Sequence, residues 1–204
     1  EVMVAMDCGA SRNVADAARI LNKDIKSIAG VAAVARSLVR GMTTDKYNTM
    51  SIQATLEAIE TYKSALEFVH MAMPIYKSGI TQASVKAVIA RAYYRRPFIE
   101  TRERLLEFCE ILISGLPNHI NDDSAAIRLR NWLQDHFSRG TRVKNKGVRI
   151  SPLIVYSKTE VALEHFLNKE RVDSLRETSN ELFWLPGEKA DSKPQAPRLL
   201  EETA

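Results

Sequence analysis

Glycine-rich phosphate loops, paired metal-binding cysteines and long apolar runs are all missing from this 204-residue chain, and each absence removes a class of function. No Walker motif, H-E-x-x-H, C-x-x-C or G-x-S-x-G occurs, so the sequence carries no signature of nucleotide, zinc or serine-hydrolase chemistry. Cysteine is nearly absent: Cys8 and Cys109 make no disulfide framework and fit a reducing compartment, with two buried thiols as the plain reading. The four histidines, His70, His119, His136 and His165, have no ligand spacing, which leaves surface or edge-of-core roles rather than a metal site. Asp122-Asp123 reads as a helix cap before it reads as a carboxylate pair. No apolar run is long enough to span a bilayer, and no basic segment followed by an apolar one opens the chain. These absences lead us to expect a cytoplasmic protein that is not an enzyme and needs no cofactor, metal or membrane. Because the chain begins at Glu1 rather than Met, a strand there can begin earlier than the first residue.

What is present is an ordinary globular composition, 45% apolar and 26% charged, enough for a real core and too apolar for wholesale disorder. The charge of +4 and a pI near 9.1 tolerate an anionic partner without approaching a histone-like balance. Its distribution matters more. Between 136 and 159, Arg139, Arg142, Lys144, Lys146, Arg149 and Lys158 occur with no acidic residue among them. That stretch can face an anion, or it can be a basic loop without a partner.

The first forty residues show the most suggestive order. Glu1 to Met6 is short, apolar and strand-like. A short helix follows with Val14, Ala17, Ala18 and Leu21 on one face, then a longer one from Ile25 to Arg40, capped by Asp24 and ended by Gly41. Strand, helix, helix is the order of a ribbon-helix-helix unit, in which paired strands of two chains enter the major groove. In that reading Met3 and Ala5 face the bases and Arg12 adds a backbone contact. Lys23, Lys26 and Ser27 flank a helix start that offers amide groups to phosphate. Met3 and Ala5 cannot make bidentate bonds to bases. Base reading is then apolar or shape-based, or a longer ribbon carries it, or the strand is structural. The second helix is apolar on more than one side, which a dimer interface and a snug monomeric core would explain equally.

Beyond residue 41 the periodicity is helical. Thr49 or Ser51 opens a helix with Ile52, Leu56, Ile59, Tyr62, Leu66, Val69 and Met73, stopped by Pro74. Thr81 starts another with Val85, Val88, Ile89, Ala92 and Tyr93, broken by Pro97. Phe98 to Ser114 closes at Gly115, and a helix with Ile127, Leu129, Trp132, Leu133 and Phe137 ends at Gly140. These four segments predict an antiparallel bundle. Val148 to Tyr156 reads as an edge strand that tolerates Pro152. Ser157-Lys-Thr-Glu160 reads as a capping box for the next helix, and a last helix is expected from Val172 to Leu185. The cluster Arg91 to Arg96 with Arg102 and Arg104 interleaves basic and aromatic residues as a nucleic-acid groove does. Glu100, Glu103 and Glu107 stand among them, however, and favour a solvated, salt-bridged face.

The segment Ile28-Ala-Gly-Val-Ala-Ala-Val-Ala-Arg-Ser-Leu-Val-Arg40, the turn Thr44-Asp-Lys-Tyr47 and the helix with Leu56-Glu-Ala-Ile-Glu60 resemble the AcaB-like proteins of conjugative plasmids and integrative conjugative elements. The likeness covers the first third of the chain, with an echo at Gly147-Val-Arg-Ile150. It implies a transcriptional regulator of conjugative transfer genes, with the ribbon on Val2 to Met6 and the phosphate-facing helix start on Lys23 to Ser27. The expected fold is mainly α: a ribbon-helix-helix DNA-binding and dimerisation unit at 1–41, a helical bundle at 42–140, a basic strand plus C-terminal helices at 141–186, and a disordered tail at 187–204. The expected protein is a homodimer on double-stranded DNA. The alternatives are a helical interaction or assembly protein, or one that coats single-stranded nucleic acid.

Overall fold

Alanine and branched apolar residues at helical spacing dictate a bundle, and the computed structural model is one. It describes residues 25–42, 50–74, 79–115, 124–137, 150–172, 174–175, 183 and 185, with side chains from Gly30 onward. Seven helices lie among them: α1 (Ile25–Arg40), α2 (Ile52–Thr61), α3 (Lys63–Ala72), α4 (Ala83–Arg95), α5 (Ile99–Ser114), α6 (Ala125–Phe137) and α7 (Pro152–Leu167). None of the described residues forms a strand. The expected ribbon at 1–6 and the short helix at 14–21 lie outside the described residues.

Two helices form the centre. In α4 every residue from Ser84 to Ala92 is buried except Lys86, which is half-buried, and α7 is buried from Val155 to Leu163 apart from Lys158. A helix that is shielded on all sides belongs inside a bundle rather than on its surface. The two pack on each other. Ala87, Ala90 and Ala92 of α4 and Ala162 of α7 are fully buried, and small side chains of this kind let neighbouring helix backbones come close. Around this pair, α1 and α3 pack on α4, α6 packs on α7, and α5 touches both. A single apolar cluster runs from Val34 on α1 through Phe108 and Leu129 to Phe166 on α7.

The helix of residues 25–40 ends at Gly41 as expected, with Gly41 at φ 52. Its apolar width is taken up within the same chain, by α2, α3 and α4. Ser51 caps α2, its hydroxyl accepting from the Ala54 amide at 3.1 Å. The single helix expected from 51 to 73 is two, α2 and α3, separated only by Tyr62. Even so, the Tyr62 amide donates to the Ala58 carbonyl and Leu66 donates to Tyr62, both at 3.0 Å, so the ladder runs on through the irregularity. Gly79, at φ 78, is a required glycine, because a Cβ there would sit 2.4 Å from Phe137 Cβ at the end of α6.

One expectation is corrected. The stretch 148–156 is not a strand where it is described: from Pro152 it is the first turns of α7. Ser151 is the N-cap, its hydroxyl accepting from Leu153 at 3.3 Å, and Pro152 occupies the first helical position, where its missing N–H costs nothing. Leu153-Ile-Val-Tyr156 looks strand-like because the run is short, apolar and partly β-branched, a pattern that periodicity cannot separate from a buried helix. The expected capping box therefore falls mid-helix, with Ser157 and Glu160 both buried. Most of the helix expected at 172–185 lies outside the described residues; Val172, Ser174, Leu175, Phe183 and Leu185, which are described, are not helical. Before it, α7 closes in a Schellman turn. Lys169 stands at φ 57, donating to Phe166 O at 3.2 Å, and Glu170 donates to His165 O at 2.9 Å. Val172, Phe183 and Leu185 then return into the core.

Candidate nucleic-acid interface

Charge on this chain divides into two groups that sequence spacing does not separate. The first is internal. Arg91, which composition placed in a nucleic-acid-like cluster, is fully buried on α4. Its Nε donates to Leu38 O at 2.6 Å and its Nη2 to Val39 O at 3.3 Å, satisfying carbonyls at the C-terminal end of α1 that have no partner within that helix. Its Nη1 donates to Phe183 O at 3.2 Å. The amide of the same residue, Phe183, donates to Glu160 Oε1 at 3.4 Å. Arg91 also lies 5.9 Å from the Tyr156 ring centre.

Of the neighbouring basic and aromatic residues, Arg96, Arg104, Tyr93 and Tyr94 are committed as well. Arg96 pairs with Glu164 at 2.8 Å and lies over Phe183. Arg104 pairs with Glu107, donates to Phe166 O at 2.7 Å and lies 4.1 Å from the Phe166 ring centre. Tyr93 stacks on Phe68, and Tyr94 meets Tyr62 edge-on. The salt-bridged alternative fits Arg104; the groove does not, because Arg91 faces the core and the tyrosines face other rings. Lys158, from the basic stretch, is likewise engaged, donating to Leu175 O at 2.6 Å beside the Trp132 ring.

The second group faces outward. Arg36 and Arg40 stand one turn apart on the exposed side of α1. They line a groove of about 550 Å³ with the starts of α4 (Gln82 to Ser84) and α7 (Pro152 and Leu153). Helix starts carry the positive end of the macrodipole and unfilled amide donors. At α4 the N-cap residue Gln82 turns its side chain to Gly79 O at 2.7 Å and makes no side-chain cap on the first turn. The charged lining of the groove is thus two guanidinium groups beside the start of α4; at the start of α7, Ser151 caps the Leu153 amide and Pro152 has none. The acid-free stretch carrying Arg139, Arg142, Lys144, Lys146 and Arg149 leads in sequence directly into Ile150 and Ser151 at the α7 end of it.

Of the residues expected to contact DNA, Met3, Ala5, Arg12, Lys23, Arg139, Arg142, Lys144 and Lys146 lie outside the described residues. Lys26 and Ser27 are in the first turn of α1, with side chains also outside them. Arg36 and Arg40 were missed. Their signal was available, an i, i+4 arginine pair on the face of α1 opposite Ala35 and Leu38. Among the described residues no three His, Cys, Asp or Glu side chains gather as metal ligands, and no helix is long and apolar enough to cross a membrane. Comparison with protein-family models, with curated proteins and with solved structures found no match.

Proposed function

We propose that this protein is a duplex-DNA-binding regulator, dimeric through residues ahead of α1, and acting on conjugative transfer genes of a mobile element. The single observation that supports DNA as the partner is the groove at Arg36 and Arg40, whose charged lining residues are these two arginines and which is adjoined in sequence by the acid-free stretch at 139–149. The strand-helix-helix order expected from the sequence of the first forty residues supports the dimer, and the AcaB-like resemblance supports the mobile-element setting. Because α1 already spends its apolar face on α2, α3 and α4, the dimer contact in this reading falls to the ribbon and to the helix before α1.

The test is a fluorescence-anisotropy titration of duplex DNA across a salt series. Affinity falls as salt rises, because each neutralised phosphate releases counterions with a log-log slope of roughly −0.9. Arg36→Ala with Arg40→Ala weakens binding to all duplexes alike and shallows that slope by about 2. An unchanged slope in the double variant removes the groove from the interface; no binding at low salt removes DNA altogether. One observation favours an assembly protein as second reading: Phe98 and Ile99, 52% and 62% exposed, lie at the start of α5, with exposed Leu106 two turns on. A monomer in solution that forms a discrete protein complex and has no duplex preference would select it.

A further inference from the structure

Between α1, α3 and α4 lies a second cavity of about 440 Å³, within the range of small-molecule pockets. Its walls are mainly apolar, with Val34, Leu66 and Val69 among them, and one cation, Lys86, lines it. Gly30 lines it too, in the interior of α1, where glycine costs about 1 kcal/mol against alanine. Gly30 is exposed, and among the described residues nothing packs on it: a Cβ there would meet none of their atoms within 4 Å. No contact among the described residues requires this glycine; it leaves one side of the cavity open.

We propose that this cavity binds a small apolar carboxylate, its hydrocarbon part against Val34, Leu66 and Val69 and its acid group on Lys86. The Lys86 ammonium makes one hydrogen bond, to the Met73 carbonyl at 3.1 Å, and an ammonium carries three donors. Two remain for a ligand. Burial holds this lysine below the ordinary lysine range, only partly countered by Cys109 nearby. An arriving carboxylate favours the charged form and offsets that cost. A neutral ligand of the same shape fills the apolar walls and leaves the ammonium as it was. The class is thereby set: an acid over the corresponding alcohol.

The cavity also has a consequence for the basic groove. Ala33, Gln82 and Ala83 line both spaces, so they form the wall between them. A ligand that spreads α1 from the start of α4 moves Arg36 and Arg40 relative to Gln82. This regulatory part rests on the DNA reading; binding of the acid does not.

Calorimetric titration of the whole chain with octanoate and, separately, octan-1-ol tests the site. One octanoate binds per chain, about tenfold tighter than the alcohol, the preference expected of a charge-assisted hydrogen bond. Lys86→Met retains the alcohol and loses the preference. Gly30→Leu fills the cavity and loses both ligands, while Gly30→Ala, checked by its melting transition, reports whether α1 accepts a side chain at that position. Absence of saturable octanoate binding overturns the proposal, as does a preference that survives Lys86→Met or binding untouched by Gly30→Leu. Duplex anisotropy with and without octanoate then separates the two readings. A shifted DNA affinity supports the coupling, an unshifted one refutes it, and octanoate binding in a chain that ignores DNA leaves the site standing while the regulator falls.

Discussion

Arg91 and Arg36 differ in almost everything except residue type. Arg91 sits in the centre of the bundle, where its guanidinium meets three backbone carbonyls from α1 and from the returning C-terminal segment. Arg36 stands on the rim of a groove with its side chain in solvent. A buried guanidinium has exchanged water for fixed partners and is no longer available to a phosphate; an exposed one keeps its charge for whatever arrives. The same residue type thus serves architecture in one place and, in the proposed function, recognition in the other, and burial decides which of the two is open to it.

Substituting the core residue sharpens that contrast most. Arg91→Met leaves Leu38, Val39 and Phe183 carbonyls without their guanidinium donor, and we expect a loss of about 3–5 kcal/mol in urea unfolding. Lysine does not restore it, since one ammonium cannot span the three acceptors with a planar fork. A near-neutral Arg91→Met would make this residue as dispensable to the fold as a rim arginine.

The next effect reports on the same core by pH. Burial raises the Cys109 thiol from 9.0 to about 12, slightly opposed by Lys86. A raised acid contributes stability that is fully present below pH 9 and is lost as pH climbs towards 12. Lys86, held low by burial, works in the opposite direction over the alkaline range. The clean quantity is therefore the stability of the wild type minus that of Cys109→Ala, which should fall above pH 9. A flat difference would mean that the thiol is hydrated.

Smaller still is Lys169→Gly, which relieves a left-handed backbone position at the end of α7 and should raise stability by about 1 kcal/mol, read as an increase in the unfolding midpoint. Smallest of all is the stability change in the Arg36→Ala, Arg40→Ala pair, within about 0.5 kcal/mol by the same measurement, although its DNA affinity falls. If that pair destabilised the chain as Arg91→Met does, the division between architectural and recognition arginines would collapse.

Much of the bundle was legible because amphipathic spacing and stop signals agree. Gly41, Pro74, Pro97 and Gly115 end helices where chain chemistry says they should. Two of the misreadings share one cause. Leu153 to Tyr156 and Arg91 are read wrongly when a segment is assumed to have an outer face, and α7 and α4 have almost none. A β-branched apolar run then mimics a strand, and an arginine among tyrosines mimics a binding cluster. The groove was half legible, through the acid-free stretch at 139–149 and the arginine pair on α1. The Lys86 cavity was not legible at all, because it exists only once Gly30 is set against α3 and α4.

Phe183 adds a temporal consequence. Its peptide group supplies a carbonyl to Arg91, 92 positions earlier, and an amide to Glu160. Synthesis runs from the N-terminus, so α4 and α7 exist before the residue that completes their buried polar centre has been made. The bundle can collapse early around alanine and leucine, but its buried polar centre waits for a segment made after α7. A polypeptide released short of residue 183 carries the same helices with two ionisable groups lacking that partner, which marks it as incomplete in a way no missing surface loop would.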